Sequence, residues 1–166
     1  GGTVIITEDG PRGGVSDGHR IEFVEHDQTD FEWMPQDSPA GPVSVLLSTA
    51  DNELLIVRNG IVIGKGEAHL GIFAKKPRGT YAYVFDGWKR DSKSKEAYPH
   101  WHQVSGPADS HEIKALKHVK TDPRLKHVLD TILVPGTNVV ITDESLAKAT
   151  RSNPGFHIMN GSLAAN

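Results

Sequence analysis

The hydrophobic pattern of this chain is most ordered between residues 41 and 64. Two apolar runs, 43–47 and 54–57, flank a short polar turn, and Asn59-Gly60 then precedes a third apolar segment at 61–63. Asn-Gly between apolar segments favours a tight type I′ turn, because both residues tolerate positive φ angles. The pattern therefore predicts a three-stranded antiparallel meander.

Strand signals continue on both sides of the meander. Residues 20–25 alternate polar and apolar, which predicts a half-buried strand with Ile21 and Phe23 on one face. Aromatic and β-branched residues at 80–85 predict another strand. Four more segments have strand-like apolar content: 4–7, 68–73, 98–104 and 139–141.

Two short helices are predicted after residue 110. Ile113, Leu116 and Val119 recur at a spacing of three, which indicates a helical stripe over 110–121. Asp122-Pro123 then resembles an N-cap followed by proline at the first helical position, and predicts a second helix that ends before Pro135-Gly136. Strands outnumber helices, so the expected fold class is mainly β with one or two short helices.

The length of 166 residues suits one domain with its own hydrophobic core. We expect an N-terminal arm with one or two strands at 1–38, the main domain at 39–146 and a polar C-terminal extension at 147–166. Phe31, Trp33 and Met34 in the arm are expected to pack against the core of the main domain.

The composition excludes several kinds of chemistry. There is no cysteine, so disulfides, thiolate nucleophiles and cysteine metal sites are all absent. The mean hydropathy is −0.38. No apolar run approaches the ~20 residues that a membrane helix needs, so no transmembrane segment is expected. No signal-peptide pattern follows Gly1-Gly2, which is compatible with an export signal removed earlier.

The net charge of −3 hides an asymmetry along the chain. Residues 1–64 carry eleven acidic and three basic side chains, whereas residues 65–130 carry eight acidic and thirteen basic ones. The two parts either compensate each other within one fold or present a basic face to an anionic partner. The pI of about 6.3 and the lack of a binding motif argue against nucleic acid as that partner.

Several motifs, taken in order, resemble the catalytic domain of the L,D-transpeptidases, envelope enzymes that crosslink peptidoglycan stem peptides. The resemblance covers roughly residues 31–145. Its motifs are Trp33-Met34-Pro35, Pro39-Ala40-Gly41-Pro42, Val57-Arg58-Asn59-Gly60, Ile63-Gly64, the turn and strand at 76–81, and the helix and strand at 122–141. The resemblance implies a β-sandwich or curled mixed sheet, and a periplasmic or cell-envelope location.

The chemistry of that family needs a cysteine, which this chain lacks. In the family a thiolate attacks a stem-peptide carbonyl beside a histidine that moves the proton. The nearest remnants of its Ser-His-Gly-Cys signature are Ser110 and His111, with His102 upstream. We therefore expect a catalytically inactive domain that binds peptidoglycan or an envelope protein and uses no cofactor. The oligomeric state is left open.

The alternative is a hydrolase or transferase that acts on peptidoglycan peptides without cysteine. In one version Ser110 is the nucleophile and His111 its base. In another, His100 and His102 face the same side of a strand because they lie two residues apart, and bind a zinc ion with His111 or Glu112. Hydrogen-bonded or solvated histidines are the simpler explanation of this cluster.

Overall fold

A computed structural model of the protein describes residues 16–19, 21–70, 77–106 and 118–146. Within these residues a short 3₁₀ helix spans Pro35–Asp37 and an α-helix, α1, spans Pro123–Ile132. The strands are β1 (Ser16–His19), β2 (Phe23–Glu25), β3 (Phe31–Trp33), β4 (Val43–Ser48), β5 (Glu53–Arg58), β6 (Ile61–Leu70), β7 (Thr80–Arg90), β8 (Ala97–Ser105), β9 (Val119–Thr121) and β10 (Asn138–Thr142). The predicted strand at 4–7 lies outside the described residues.

The predicted meander is present as β4, β5 and β6, which pair in sequence order and antiparallel. Asn59 and Gly60 have φ angles of 52° and 83°, so both central residues of the turn occupy the left-handed region that a type I′ turn requires. The strand expected to start at residue 68 is instead the far end of β6, which continues without a break to Leu70.

Hydrogen bonds join the described strands into one mixed sheet in the order β1-β8-β7-β10-β4-β5-β6-β9-β2, with β3 beside β6. β10 lies in the middle of this order, parallel to β4 and antiparallel to β7. Its burial on both faces fits the apolar run Val139, Val140 and Ile141. The prediction of a mainly β fold is confirmed, and of its two versions the curled mixed sheet is the one observed.

The sheet curls so that its two ends approach each other. β1 and β2 are neighbours in sequence, yet β1 pairs with β8 at one end of the strand order and β2 pairs with β9 at the other. Between them, the carbonyl of Ile21 accepts a buried hydrogen bond of 3.1 Å from the indole N–H of Trp101 in β8. One short stretch of chain therefore bridges both ends of the sheet.

Helix α1 begins where the sequence predicts. Asp122 is its N-cap, Pro123 occupies the first turn, and the Asp122 carboxylate accepts the backbone N–H of Arg124 at 2.8 Å. Leu125 and Leu129 lie one turn apart and are fully buried. They join a core that includes Val45, Leu54, Ile56, Ile63, Tyr81, Tyr83, Phe85, Trp101 and Ile141, with Phe31 and Trp33 packed against it as expected.

The prediction of a helix over 110–121 is wrong at its C-terminal end. Val119–Thr121 is strand β9, which pairs antiparallel with β6 and parallel with β2. Pro123 disfavours helical backbone at the residue before it, and Asp122 has φ −54° and ψ 137°, so no helix runs through this point. Residues 107–117 lie outside the described part of the chain. Among the described residues, no helix is long and apolar enough to cross a membrane.

Candidate functional site

A β-bulge in the β7–β8 hairpin shapes the candidate site. Phe85 pairs with Trp101 and Gly87 pairs with His100, so Asp86 is an extra residue on β7. Gly87 has a φ angle of 132°, a conformation that glycine adopts far more readily than other residues. A bulge of this kind re-aims side chains along the strand, and here it places Asp86 between two residues of β8.

Both predicted histidines of β8 converge on that carboxylate. Trp101 and Gln103 face the core, so the alternation of the strand puts His100 and His102 on the outer side. His102 Nδ1 lies 2.5 Å from Asp86 Oδ1, and His100 Nδ1 lies 3.0 Å from Asp86 Oδ2. Each imidazole therefore donates its Nδ1–H to one oxygen of the same carboxylate.

The remaining ring nitrogens of the two histidines differ. His100 Nε2 lies 2.9 Å from Lys89 Nζ. Because an ammonium group can only donate, His100 Nε2 accepts, and His100 is the neutral Nδ1–H tautomer. The structure gives the Nε2 of His102 no hydrogen-bond partner among the described residues. That nitrogen is the position from which His102 can exchange a proton with a ligand.

Asp86 and His102 thus form the carboxylate–imidazole pair that many general bases use, in which the carboxylate fixes the tautomer and the ring orientation. A nucleophile is also needed for acyl transfer, and the two predicted partners, Ser110 and His111, lie outside the described residues. The structure therefore places His102 in an oriented pair and leaves the predicted Ser110–His111 pair as a prediction.

The metal hypothesis involves the same side chains. His100 and His102 do share a side, as their spacing predicts, but both direct Nδ1 at Asp86. Over residues 16–19, 21–70, 77–106 and 118–146, no group of three His, Asp or Glu side chains is arranged to hold a metal ion. His111 and Glu112, the two alternatives for the third ligand, are outside these ranges.

The other side of the same hairpin lines a cleft of about 570 Å³, which we call the Trp88 cleft. It lies where the two ends of the curled sheet meet, between β2, the far end of the β7–β8 hairpin and α1. Its lining residues are Glu22, Phe23, Val24, Trp88, Glu96, Ala97, Pro99, Lys126, Asp130 and Leu133. Trp88 pairs with Pro99 across the hairpin, so both project to the side opposite the histidines.

The Trp88 cleft combines an exposed aromatic ring with charged groups of both signs. Trp88 is 45% exposed and meets Phe85 edge to face, with ring centroids 5.6 Å apart and an interplanar angle of 76°. Lys126 Nζ lies 2.5 Å from Asp130 on the next turn of α1. Glu22 lies 3.7 Å from His118, a looser contact that depends on the protonation of the histidine.

Asp86 and Trp88 were not among the predicted site residues, although the sequence holds one signal for them. An isolated glycine inside an aromatic strand indicates a bulge, and Gly87 stands between these two residues. The signal does not specify which side of the strand each neighbour faces, because that depends on the register with β8. The cleft itself requires the sheet to curl, which no local pattern indicates.

Comparisons with known proteins give one kind of match. No protein-family model and no curated protein matches the sequence. The structure is similar to an L,D-transpeptidase from Stackebrandtia nassauensis at 17% identity and a TM-score of 0.38, over 60% of this chain and 55% of that one. It is also similar to residues 123–326 of an L,D-transpeptidase from Xylanimonas cellulosilytica, at 19% identity and a TM-score of 0.35, over 61% of each chain.

Both solved proteins carry the name of the family that the sequence motifs resemble. The chain spans less than two thirds of either solved protein. No residue of this chain takes a role from them, so any function must follow from its own side chains.

Proposed function

We propose that this chain is a non-catalytic, L,D-transpeptidase-like domain of the cell envelope, periplasmic in location, that binds peptidoglycan. One observation carries the proposal: the Trp88 cleft and the Asp86–His102 pair lie on opposite sides of the β7–β8 hairpin. A ligand held in the cleft is therefore separated by the sheet from the oriented histidine.

Acyl transfer needs a nucleophile and a base within hydrogen-bond reach of the same bound ligand. The chain has no cysteine, and the ten described lining residues of the cleft include no serine or threonine. The lysine in the cleft is already paired with Asp130. The cleft therefore has groups that can bind a ligand but, among its described lining residues, none that can act as the nucleophile. The resemblance of the sequence motifs suggests that the ligand is a part of peptidoglycan.

The test combines binding and turnover. We expect the protein to sediment with purified sacculi, and the Trp88→Ala variant to sediment less. Incubation with a disaccharide-tetrapeptide should give no crosslink, no cleavage and no trapped acyl-enzyme. His102→Ala is the matched control, because it alters the same hairpin on its other side and should leave binding unchanged. Any turnover by the purified protein, or a failure to bind sacculi, would overturn the proposal; the latter would leave an envelope protein as the ligand.

The Asp86–His102 contact favours a second candidate, a hydrolase or transferase that acts on peptidoglycan peptides from the outer side of the hairpin. In this version His102 is the base, Asp86 orients it and Ser110 supplies the hydroxyl. Turnover that disappears in His102→Ala and in Ser110→Ala, and persists in Trp88→Ala, would establish it. Stoichiometric zinc that is lost in His102→Ala would establish the metal-dependent version instead.

A further inference from the structure

We infer that the Trp88 cleft binds a pyranose ring of the glycan strand, through stacking on Trp88 and hydrogen bonds to the charged side chains around it. The inference rests on the proposed peptidoglycan binding and narrows it to one component, the glycan. The cleft volume of about 570 Å³ falls within the range of small-ligand sites, and suits one or two sugar units better than a folded partner.

Trp88 has the geometry of a stacking platform. A sugar ring has an apolar face of C–H groups and a rim of hydroxyls, so it packs its face on an aromatic ring. The edge-to-face contact with Phe85 covers at most one face of the indole. Trp88 is one of four large hydrophobic side chains that are exposed among the described residues, and it alone of these lines the cleft.

The polar groups of the cleft match the hydroxyl rim of a sugar. A hydroxyl both donates and accepts, so a sugar needs partners of both kinds. Glu22, Glu96 and Asp130 are acceptors, and Lys126 is a donor. The ammonium of Lys126 has three protons, so its contact with Asp130 positions it and leaves donors available. Hydrogen bonds to charged groups are also stronger than those between neutral groups.

Other ligands fit the same lining less well. A stem peptide with free carboxylates would meet three carboxylates in the cleft. An extended peptide that paired with β8 beyond the segment covered by β1, which runs from Gln103 to Trp101, would find Pro99 there, which has no N–H to donate. A neutral, hydroxyl-rich ligand meets none of these obstacles.

The experiment uses two probes that separate the glycan from the peptide. Binding of a β-1,4-linked tetramer of N-acetylglucosamine and of the sugar-free stem tetrapeptide is measured by calorimetry on the whole chain. We expect the tetramer to bind and the tetrapeptide not to bind. Trp88→Ala should weaken the tetramer about tenfold or more, and Trp88→Phe less, because phenylalanine keeps an aromatic face.

Ile61→Ala is the control, since Ile61 is 46% exposed but lies outside the cleft lining. It should leave the affinity for the tetramer unchanged. A protein that sediments with sacculi but binds only the tetrapeptide, or binds the tetramer equally well in Trp88→Ala, would overturn the glycan inference and leave the proposed function standing. A protein that binds neither sacculi nor either probe would overturn both. A melting temperature close to that of the wild type would show that each variant is folded.

Discussion

Two histidines on one strand contact the same carboxylate and still differ in chemistry. His100 has both ring nitrogens engaged, by Asp86 and by Lys89. His102 is engaged through Nδ1 alone among the described residues. The second nitrogen therefore decides which histidine can exchange a proton with a ligand. The difference follows from the position of Lys89, which is one residue beyond Trp88 and on the opposite side of the strand.

This arrangement predicts a specific tautomer. At pH 8, where free imidazole is neutral, His100 should be the Nδ1–H form because Nε2 accepts from Lys89. Long-range ¹H–¹⁵N correlation spectra distinguish the two tautomers directly. Lys89→Ala should retain the Nδ1–H form, since Asp86 still accepts that proton, whereas Asp86→Ala should give a mixture. An Nε2–H form of His100 in the unmodified protein would contradict the geometry.

Asp122 is a buried acid with several hydrogen-bond donors around its carboxylate. Its carboxylate is fully buried and accepts bonds from the Arg124 guanidinium and from the backbone N–H groups of Thr29 and Arg124. The Arg124 guanidinium, more than these backbone donors, holds the pKa of Asp122 well below its usual range. The residue thus ties the start of α1 to the loop before β3.

Because the pKa of Asp122 is lowered in the folded protein, we expect the free energy of unfolding to fall in acid. The pKa is about 3.9 in the unfolded chain and lower in the folded one, so Asp122 contributes stability that is fully present above about pH 5 and lost as the pH falls toward its folded pKa. Asp122→Asn should flatten the decline of the unfolding free energy below pH 5, as measured by urea denaturation.

Asp122→Ala should cost at least about 1 kcal/mol at neutral pH, the usual loss for an N-cap. The matched control is Asp130→Asn on the same helix. Asp130 is part of an exposed ion pair with Lys126, and such pairs contribute about 0.5 kcal/mol or less. Equal losses at the two positions would show that the buried contacts of Asp122 add nothing.

At the scale of strands and helices, local chemistry accounts for the elements that the sequence predicts correctly. The Asn59-Gly60 turn and helix α1 each depend on residues adjacent in sequence, through positive φ angles in one case and an N-cap in the other. Patterns of this kind need no knowledge of distant partners. The pairing of His100 and His102 on one side of β8 is also local, because it follows from strand alternation alone.

Elements that depend on long-range pairing were not predictable in this way. Val119 has a spacing that suits a helix, but β6 and β2 provide backbone partners that make it a strand. β10 lies between β4 and β7, which are far apart in sequence. Asp86 belongs to the candidate site only because the register of β7 with β8 includes a bulge. The resemblance to a known family indicates the mixed sheet but not these side chains.

Because the bulge places Gly87 at a positive φ angle, a methyl group added there should lower the stability of the fold. Among the described residues a Cβ at Gly87 would meet only Pro135 Cγ, at 4.0 Å, so Gly87→Ala introduces no severe clash with them. The φ angle of 132° is nevertheless strained for alanine, and we expect a loss of about 1–3 kcal/mol in the free energy of unfolding. The His100 and His102 spectra should change as well. Ser92→Ala, in the loop of the same hairpin, is the control. Unchanged stability and unchanged histidine signals in Gly87→Ala would show that the bulge does not need glycine.

For the molecule as a whole, the Trp88 cleft is a consequence of how the sheet closes. β1 and β2 carry consecutive parts of the chain to opposite ends of the strand order, which brings β8 and β2 close together. α1 packs under β2, and the far end of the β7–β8 hairpin completes the opposite wall. The cleft therefore exists only when both ends of the sheet are held near each other.

The hydrogen bond from Trp101 to Ile21 joins these two ends of the sheet. We expect its removal to lower the stability of the whole fold. Trp101→Phe keeps an aromatic ring in the core but removes the N–H donor, so the buried carbonyl of Ile21 loses its partner. An unsatisfied buried group costs about 1–3 kcal/mol, and the smaller ring adds a further loss. Guanidinium denaturation followed by circular dichroism measures the sum, while Trp88→Phe, an exposed replacement of the same type, should change stability by about 0.5 kcal/mol or less.

Amide exchange in Trp101→Phe can distinguish a general loss of stability from a loosening of the contact between the two ends of the sheet. If the bond holds the ends of the sheet together, amide exchange in β2 should accelerate more in Trp101→Phe than exchange in β4 and β5, which lie in the middle of the strand order. Trp88→Phe should leave both regions as they are. A uniform acceleration in Trp101→Phe would mean that Trp101 contributes only to the common core. A selective one would mean that this hydrogen bond, between residues 80 positions apart, stabilises the closure of the sheet in addition to the common core.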